Sequence, residues 1–375
     1  MRGGGNVWAT WIGLLLACAC DRGATAETPS QPVEIREVHS GDAERRAAGE
    51  RPDAQPRQEG LLIGEFRLAK NAVIDGDTIR VEGIDESLRM LSIDTEEKLD
   101  RKADRAAAAK DFDRYIERKR GNATRPQKAG TPMGEEAKRF AEAFFDGHEM
   151  VRLERDDPKE ILGHYGRLLA YVFVKKDGRW TSYNVECVRA GTSPYFTKYG
   201  YSHRLHNELT DAEAEARQAK RGIWNPEARG YRDYEERKAW WNARADFIRA
   251  FEHEASRRDD YIELTHWDAF DQLEKRLGQE VTVLGTVGRI RHFKNLVRVA
   301  LQGASGTTFP LIFFNKDAFQ MSGIDRYKGE PVTVRGSVER YEKGDYRTLQ
   351  IVVNAPTQLV LPLLPPPSNT ARTAE

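Results

Sequence analysis

The chain has 375 residues, and its 59 basic residues balance its 59 acidic residues. This balance excludes attraction of polyanions by a field of the whole protein, so any such attraction has to come from local patches. The length is sufficient for two domains with cores of their own. Cys187 is the only cysteine outside the N-terminal segment, which excludes an internal disulfide framework.

The N-terminus has the pattern of an export signal. Arg2 precedes an apolar run, Val7 to Ala19, of the kind found in secretory signals and not in membrane-spanning helices. A small residue precedes both Cys18 and Cys20, which resembles a bacterial lipoprotein processing site with one of them lipidated. The alternative is an ordinary signal peptide. We expect an exported protein, anchored by lipid at a bacterial envelope, or otherwise periplasmic or secreted.

Two acidic clusters follow, Asp75 to Thr78 (DGDT) and Asp94 to Glu97 (DTEE). The first lies in a Gly-centred turn between two β-type runs, which predicts a hairpin, and a second turn at residues 83–86 returns a third strand beside the second. The first turn and the end of the third strand then share an edge, so Asp77 and Asp94 are expected to meet. Adjacent carboxylates are costly unless a cation neutralises them, which predicts a divalent-metal site.

Two arginines complete a set of groups suited to phosphate chemistry. Arg89 lies in the predicted third strand, and Arg167 follows the Gly-rich turn Gly163 to Gly166 and is predicted to open a strand. In phosphodiester cleavage a metal polarises the phosphoryl oxygen, Glu97 removes a proton from water, and arginine forks match the charge of the transition state.

The motifs D-G-D-T, R-x-x-x-x-D-T-x-E and Y-G-R-x-L-A-Y occur in this order, and together they resemble the staphylococcal nuclease family over residues 62–224. The resemblance implies a calcium-dependent nuclease that acts on DNA, RNA or both and leaves 3′-phosphates. Matching the motifs residue by residue implies that Asp77, Asp94 and the Thr95 carbonyl bind calcium and that Asp75 is a further carboxylate near the metal. It also implies that Glu97 is the general base. Arg89 and Arg167 would bind phosphate, and Tyr165 would contact the nucleotide.

Two features depart from the family pattern. Glu96 stands where the family usually has proline, which frees φ and is expected to add a negative charge beside the metal. The insertion Lys98 to Thr131 replaces a shorter loop, and its first half, rich in Ala, Arg and Lys, predicts a charged helix. We expect the insertion to flank the substrate groove.

The predicted fold class is α+β and mainly β, with an OB-type five-stranded barrel and packed helices, a helical connector, and a second OB-fold-like barrel. In the second barrel, basic and aromatic residues at 289–294 suit single-strand binding or a solvated hairpin equally. The predicted boundaries are 1–20 for the signal, 21–60 for a disordered linker, 61–228 for the nuclease domain, 229–278 for the connector, 279–361 for the second barrel and 362–375 for a disordered tail.

The favoured function is therefore an endonucleolytic, calcium-dependent hydrolase. The alternative is a catalytically inactive envelope protein that binds nucleic acid or a partner protein through its barrels. DNA or RNA and, through the lipid anchor, a membrane are the expected partners, and the sequence predicts no particular protein partner.

Overall fold

The computed structural model describes residues 60–160, 162–163 and 166–366. The predicted signal with Cys18 and Cys20, nearly all of the linker, Tyr165, and most of the predicted tail lie outside these residues. Within the described part of the chain, no helix is both long enough and apolar enough to cross a membrane.

Five strands in the first half close into a barrel. They are β1 (Leu62–Asp75), β2 (Thr78–Val81), β3 (Leu88–Met90), β4 (Met150–Glu154) and β5 (Leu169–Lys176). Neighbours pair in the order β3-β2-β1-β4-β5, and the parallel pairing of β3 with β5 closes the ring. A further strand, β6 (Arg179–Ser182), forms a hairpin with β5. The predicted five-stranded OB-type barrel is confirmed.

The insertion contains two helices where a charged helix was predicted. They are α1 (Lys102–Lys110) and α2 (Phe112–Arg120), separated at Asp111. Asp111 has extended backbone angles, and its carboxylate accepts a hydrogen bond from the Arg114 N–H at 3.0 Å, so it ends one helix and caps the next. The pair has a small core of its own, made of Leu99, Ala108, Phe112 and Tyr115.

Three helices belong to the first barrel: α3 (Pro132–Phe145), α4 (Tyr183–Arg189) and α5 (His206–Gln218). Two aromatic rings of α3, Phe144 and Phe145, pack against Tyr183 of α4 at centroid distances of 5.0 and 4.8 Å. These aromatic contacts join α3 to α4 within the barrel's core, where Val151 and Val172 of neighbouring strands are also buried.

The predicted helical connector is interrupted by a strand. It contains α6 (Tyr234–Ala255), β7 (Tyr261–Glu263) and α7 (Ala269–Lys275), and β7 pairs in parallel with the first strand of the second barrel. On α6, the buried Arg244 donates to the Lys198 carbonyl at 2.8 Å and to the Gly329 carbonyl at 2.9 Å. Helix α6 thus bonds to the segment between α4 and α5 and to the segment before the fourth strand of the second barrel.

The second barrel has the same strand connectivity as the first. Its strands are β8 (Glu280–His292), β9 (Val297–Gln302), β10 (Thr308–Phe313), β11 (Pro331–Lys343) and β12 (Tyr346–Val352), with α8 (Lys316–Ser322) before β11 and a short β13 (Leu359–Val360) beside it. The ring runs β8-β9-β10-β12-β11 and closes through the pairing of β11 with β8. This confirms the predicted OB-fold-like region.

Candidate active site

Arg89 joins the two acidic clusters at one edge of the first barrel. It lies at the centre of β3 between the buried Leu88 and Met90, so strand alternation turns its side chain to the opposite face. The guanidinium forms an ion pair with Asp77, and its Nη2 lies 2.5 Å from Asp94 Oδ1. The meander therefore brings both carboxylates to one arginine.

The Asp77 carboxylate is buried and hydrogen-bonded on both oxygens. Oδ1 accepts from the Thr78 hydroxyl at 3.0 Å, and Oδ2 accepts from the Thr95 N–H at 3.0 Å and the Thr95 hydroxyl at 3.2 Å. The Asp77 N–H in turn donates to Asp75 Oδ1 at 3.2 Å. Burial, and then the charge of Asp77, raise the pKa of Asp75 to about 6.

Asp94 is held by the backbone and by two cations. Its N–H donates to the Ser193 hydroxyl at 2.8 Å, and its Oδ1 contacts Arg89 and, at 2.8 Å, Lys128 Nζ. Burial acts to raise the pKa of Asp94, but the charges of Lys128 and Arg89 outweigh it and keep this pKa below its usual value. In the described residues, no hydrogen bond is made to Asp94 Oδ2 or to the Thr95 carbonyl.

Lys128 is a site residue that the sequence did not single out. It comes from the insertion, and its Nζ lies 2.8 Å from Asp94 Oδ1 and 3.1 Å from Glu97 Oε1. It therefore contacts both a candidate metal ligand and the candidate base. The insertion is rich in basic residues, and no pattern distinguishes the one that folds back on the site.

Glu97 has a fixed backbone and an accessible side chain. Its carbonyl accepts from the Thr131 N–H at 2.8 Å. Helix α3 passes so close that a Cβ on Gly134 would lie 2.2 Å from that carbonyl oxygen, which explains the glycine. The Glu97 side chain is 49% exposed, so water can reach the carboxylate.

Glu96 does not place its charge beside the candidate metal ligands, and this corrects the expectation drawn from the missing proline. Glu96 is 2% exposed, and its carboxylate accepts hydrogen bonds from the Thr131 hydroxyl, from the Tyr231 N–H at 2.8 Å and from the Tyr234 hydroxyl at 2.8 Å. Burial raises the pKa of Glu96 to about 7, although these hydrogen bonds act to lower it.

Arg167 lies at the same end of the barrel as Arg89 but precedes its strand. The strand β5 begins at Leu169, two residues later than predicted, and Leu169 pairs with Arg89 across the ladder between β3 and β5. Among the described residues, the Arg167 guanidinium has no hydrogen bond or ion pair. Tyr165, the predicted nucleotide contact, lies outside them.

An exposed aromatic residue, Tyr199, was also missed by the sequence motifs. It is 70% exposed and lies three residues after Phe196, whose N–H donates at 2.9 Å to the carbonyl of Ser92, two residues before Asp94. The ring packs edge-on against Phe196, with centroids 5.6 Å apart. Tyr199 thus stands at the rim of the site.

Residues 87–226 match the model of a family described as staphylococcal nuclease homologues. This part of the chain is a staphylococcal nuclease-like domain. The matched range includes Arg89, Glu97 and Arg167, and it begins after Asp77.

Two uncharacterized proteins are similar to part of this chain. An uncharacterized protein of Methanocaldococcus jannaschii is 29% identical over 156 residues, which are 41% of this chain and 69% of that protein. An uncharacterized protein of Bacillus anthracis is 28% identical over 213 residues, which are 55% of this chain and 83% of that protein.

The nuclease-like domain balances its two central carboxylates with its own cations. In the part of the chain that the structure describes, no cluster of three or more His, Cys, Asp or Glu is arranged to hold a metal ion. Asp77 pairs with Arg89, and Asp94 pairs with Arg89 and Lys128. Asp94 Oδ2 and the Thr95 carbonyl oxygen are the atoms best suited to bind a hard cation at this site.

Proposed function

We propose that this protein is a calcium-dependent nuclease that hydrolyses phosphodiester bonds of DNA, RNA or both, endonucleolytically and with 3′-phosphate products. The observation that carries the proposal is the Arg89 bridge between Asp77 and Asp94, inside a domain that matches staphylococcal nuclease homologues. The nuclease-like fold is shared with the family, whereas calcium, product chemistry and residue roles are the proposed part.

The donor set fits a calcium ion, because all of its members are hard oxygen ligands. Asp77, Asp94 and the Thr95 carbonyl would hold the ion, and Asp75 lies behind Asp77 as a further carboxylate. When bound, calcium supplies positive charge that polarises a phosphoryl oxygen.

The protein's own residues supply the proton transfer and the remaining charge stabilisation. Glu97, accessible to solvent on a fixed backbone, takes a proton from the water that attacks phosphorus. The guanidinium groups of Arg89 and Arg167 match the charge that develops on the phosphoryl oxygens, and Arg167 also stabilises charge on the leaving 5′ oxygen.

An exposed aromatic residue at the rim suits substrate binding. Tyr199 offers a ring for base stacking, which tolerates any base sequence. The nucleotide contact of Tyr165 stays a prediction from the motif. Export and lipid anchoring at Cys18 or Cys20 are likewise proposed from the sequence alone.

The alternative, an inactive binding protein, is favoured by one observation in the second barrel. Phe293, Tyr341 and Tyr346 are exposed on two neighbouring hairpins, and Arg298 Nη2 donates to the Tyr346 hydroxyl at 3.1 Å. Exposed aromatic rings beside arginine are suited to single-stranded nucleic acid.

Incubation of the purified chain with DNA and with RNA, in calcium or in a calcium chelator, separates the two functions. We expect cleavage that requires calcium, and end-group analysis is expected to find 3′-phosphates. Binding of nucleic acid without cleavage in calcium would favour the alternative and contradict the nuclease.

A further inference from the structure

Both oxygens of the Glu96 carboxyl group accept hydrogen bonds from buried donors. The Thr131 hydroxyl donates to Oε2, while the Tyr231 N–H and the Tyr234 hydroxyl donate to Oε1, each at 2.8 Å. A carboxyl side chain offers two acceptor oxygens, which match these three donors. Burying a carboxylate without such partners is strongly unfavourable, which fixes the side chain in one orientation.

These donors come from elements far apart in the chain. Thr131 lies at the start of α3, whereas Tyr231 and Tyr234 lie at the start of α6, beyond the residues that match the nuclease family. One side chain therefore connects the segment Asp94 to Glu97 with the C-terminal half of the protein.

The backbone of Gly230 also lies close to the Glu96 side chain. A Cβ on Gly230 would lie 2.5 Å from Glu96 Oε1, so a larger residue there would have to displace the carboxyl group. The Tyr231 hydroxyl donates to the Ala129 carbonyl at 2.8 Å and accepts from the Ala129 N–H at 2.9 Å. Ala129 directly follows Lys128, so the same contact fixes the end of the insertion that reaches the site.

We propose that Glu96 is a positioning residue, which anchors the segment Asp94 to Glu97 to the start of α6 and so makes the C-terminal half of the chain part of the support for the candidate active site. Glu96 does not touch the substrate in this account. It acts through the backbone it shares with Thr95 and Glu97. The catalytic consequence rests on the proposed nuclease function, whereas the anchoring itself does not.

Hydrogen–deuterium exchange of the full chain tests the anchoring without any assay of activity. Glu96→Ala and Tyr234→Phe are expected to speed exchange in peptides that cover residues 91–99 and 127–131 by about tenfold, because each removes at least one buried hydrogen bond of the Glu96 carboxyl group. Tyr201→Phe is the matched control, since the Tyr201 hydroxyl donates to Asp246 on the same helix at 3.1 Å, away from Glu96. If Glu96→Ala does not fold, exchange in Tyr234→Phe alone decides whether the anchoring exists.

Cleavage kinetics of the same proteins, measured well below their melting temperatures, test the catalytic consequence. We expect kcat to fall by about tenfold or more in Tyr234→Phe with KM unchanged, because the base is misplaced while the substrate contacts remain. Glu96→Gln should recover most of the kcat lost in Glu96→Ala, since its amide oxygen still accepts from Tyr231 and Tyr234.

Unchanged exchange in Glu96→Ala and Tyr234→Phe would overturn the proposal, whatever the activity. Faster exchange with a wild-type kcat would overturn the positioning role in catalysis. Faster exchange in the variants of a chain that cleaves neither DNA nor RNA would support the anchoring and contradict the proposed nuclease function, so the two failures are distinguishable.

Discussion

The two barrels of this protein share a strand connectivity and differ in what they carry on it. In the first, the hairpin turn after β1 and the segment after β3 supply Asp77 and Asp94, which meet at Arg89. In the second, the corresponding hairpin, residues 292–296, has a histidine, a phenylalanine and a lysine and no carboxylate. The two barrels share a scaffold, and the side chains at one edge of it determine the chemistry.

The largest expected difference in stability is between substitutions of an arginine in the first barrel and of an arginine in the second. Arg89→Met leaves Asp77 without its ion-pair partner and Asp94 with Lys128 alone, so we expect a loss of about 3–5 kcal/mol of unfolding free energy in calcium-free urea titrations. Added calcium should restore part of that stability. Arg298→Met, the control in the second barrel, is expected to stay within about 0.5 kcal/mol of wild type. Equal stability of both variants would contradict the bridge.

A pH effect is expected where the two halves of the chain meet. Burial raises the pKa of both Glu160 and Glu263 to about 7. The charge of Glu263 adds to this effect at Glu160, and the charge of Glu252 adds to it at Glu263. Nearby, the Trp267 N–H donates to the Lys159 carbonyl at 3.1 Å. Because a raised carboxylate pKa favours the protonated folded state, this stability is complete below about pH 4.5 and is lost as the pH rises through 7.

Urea titrations at pH 5.5 and pH 8 measure this loss. We expect the Glu263→Gln variant to lose about 1–2 kcal/mol less than wild type between these pH values, because the neutral amide no longer ionises beside Glu160. Glu280→Gln is the control, since Glu280 is exposed on the next strand. Equal losses of stability in Glu263→Gln and wild type would show that ionisation of Glu263 does not cause the pH effect.

The smallest expected effect concerns Lys128, the cation that the insertion contributes to Asp94. Removing this cation from Asp94 in Lys128→Met should tighten calcium binding about fivefold in calorimetric titrations, because partly exposed ion pairs contribute about 1 kcal/mol or less. Lys119→Met is the matched control, because Lys119 pairs with Asp104 inside the same insertion. Unchanged or weaker calcium binding by Lys128→Met would show that the lysine does not compete with the ion.

The sequence predicts those parts of the site that depend on local order. The spacing of the two acidic clusters and the turns between them are enough to bring Asp77 and Asp94 to one edge, because a meander fixes which strand ends are adjacent. The pairing of the remaining strands of the first barrel is implied by the family resemblance, and that of the second barrel by its resemblance to an OB fold.

Long-range contacts account for what the sequence does not predict. The direction of Glu96 depends on Tyr231 and Tyr234, more than a hundred residues away, and no local rule indicates that pocket. Asp111 divides the insertion although Arg and Lys on both sides favour helix, because its side chain prefers a cap. The strand β7 has only three residues and is defined by its partner in the second barrel.

We propose Glu97 as the base of a nuclease site at the edge of the first barrel. The decisive measurement is calcium-dependent cleavage by wild type, Glu97→Gln and Glu86→Gln, since Glu86 is an exposed glutamate of the same barrel region. We expect kcat to fall by about 10²- to 10⁴-fold in Glu97→Gln, with calcium binding retained, and to be unchanged in Glu86→Gln. A Glu97→Gln variant that cleaves as fast as wild type would contradict this role of Glu97.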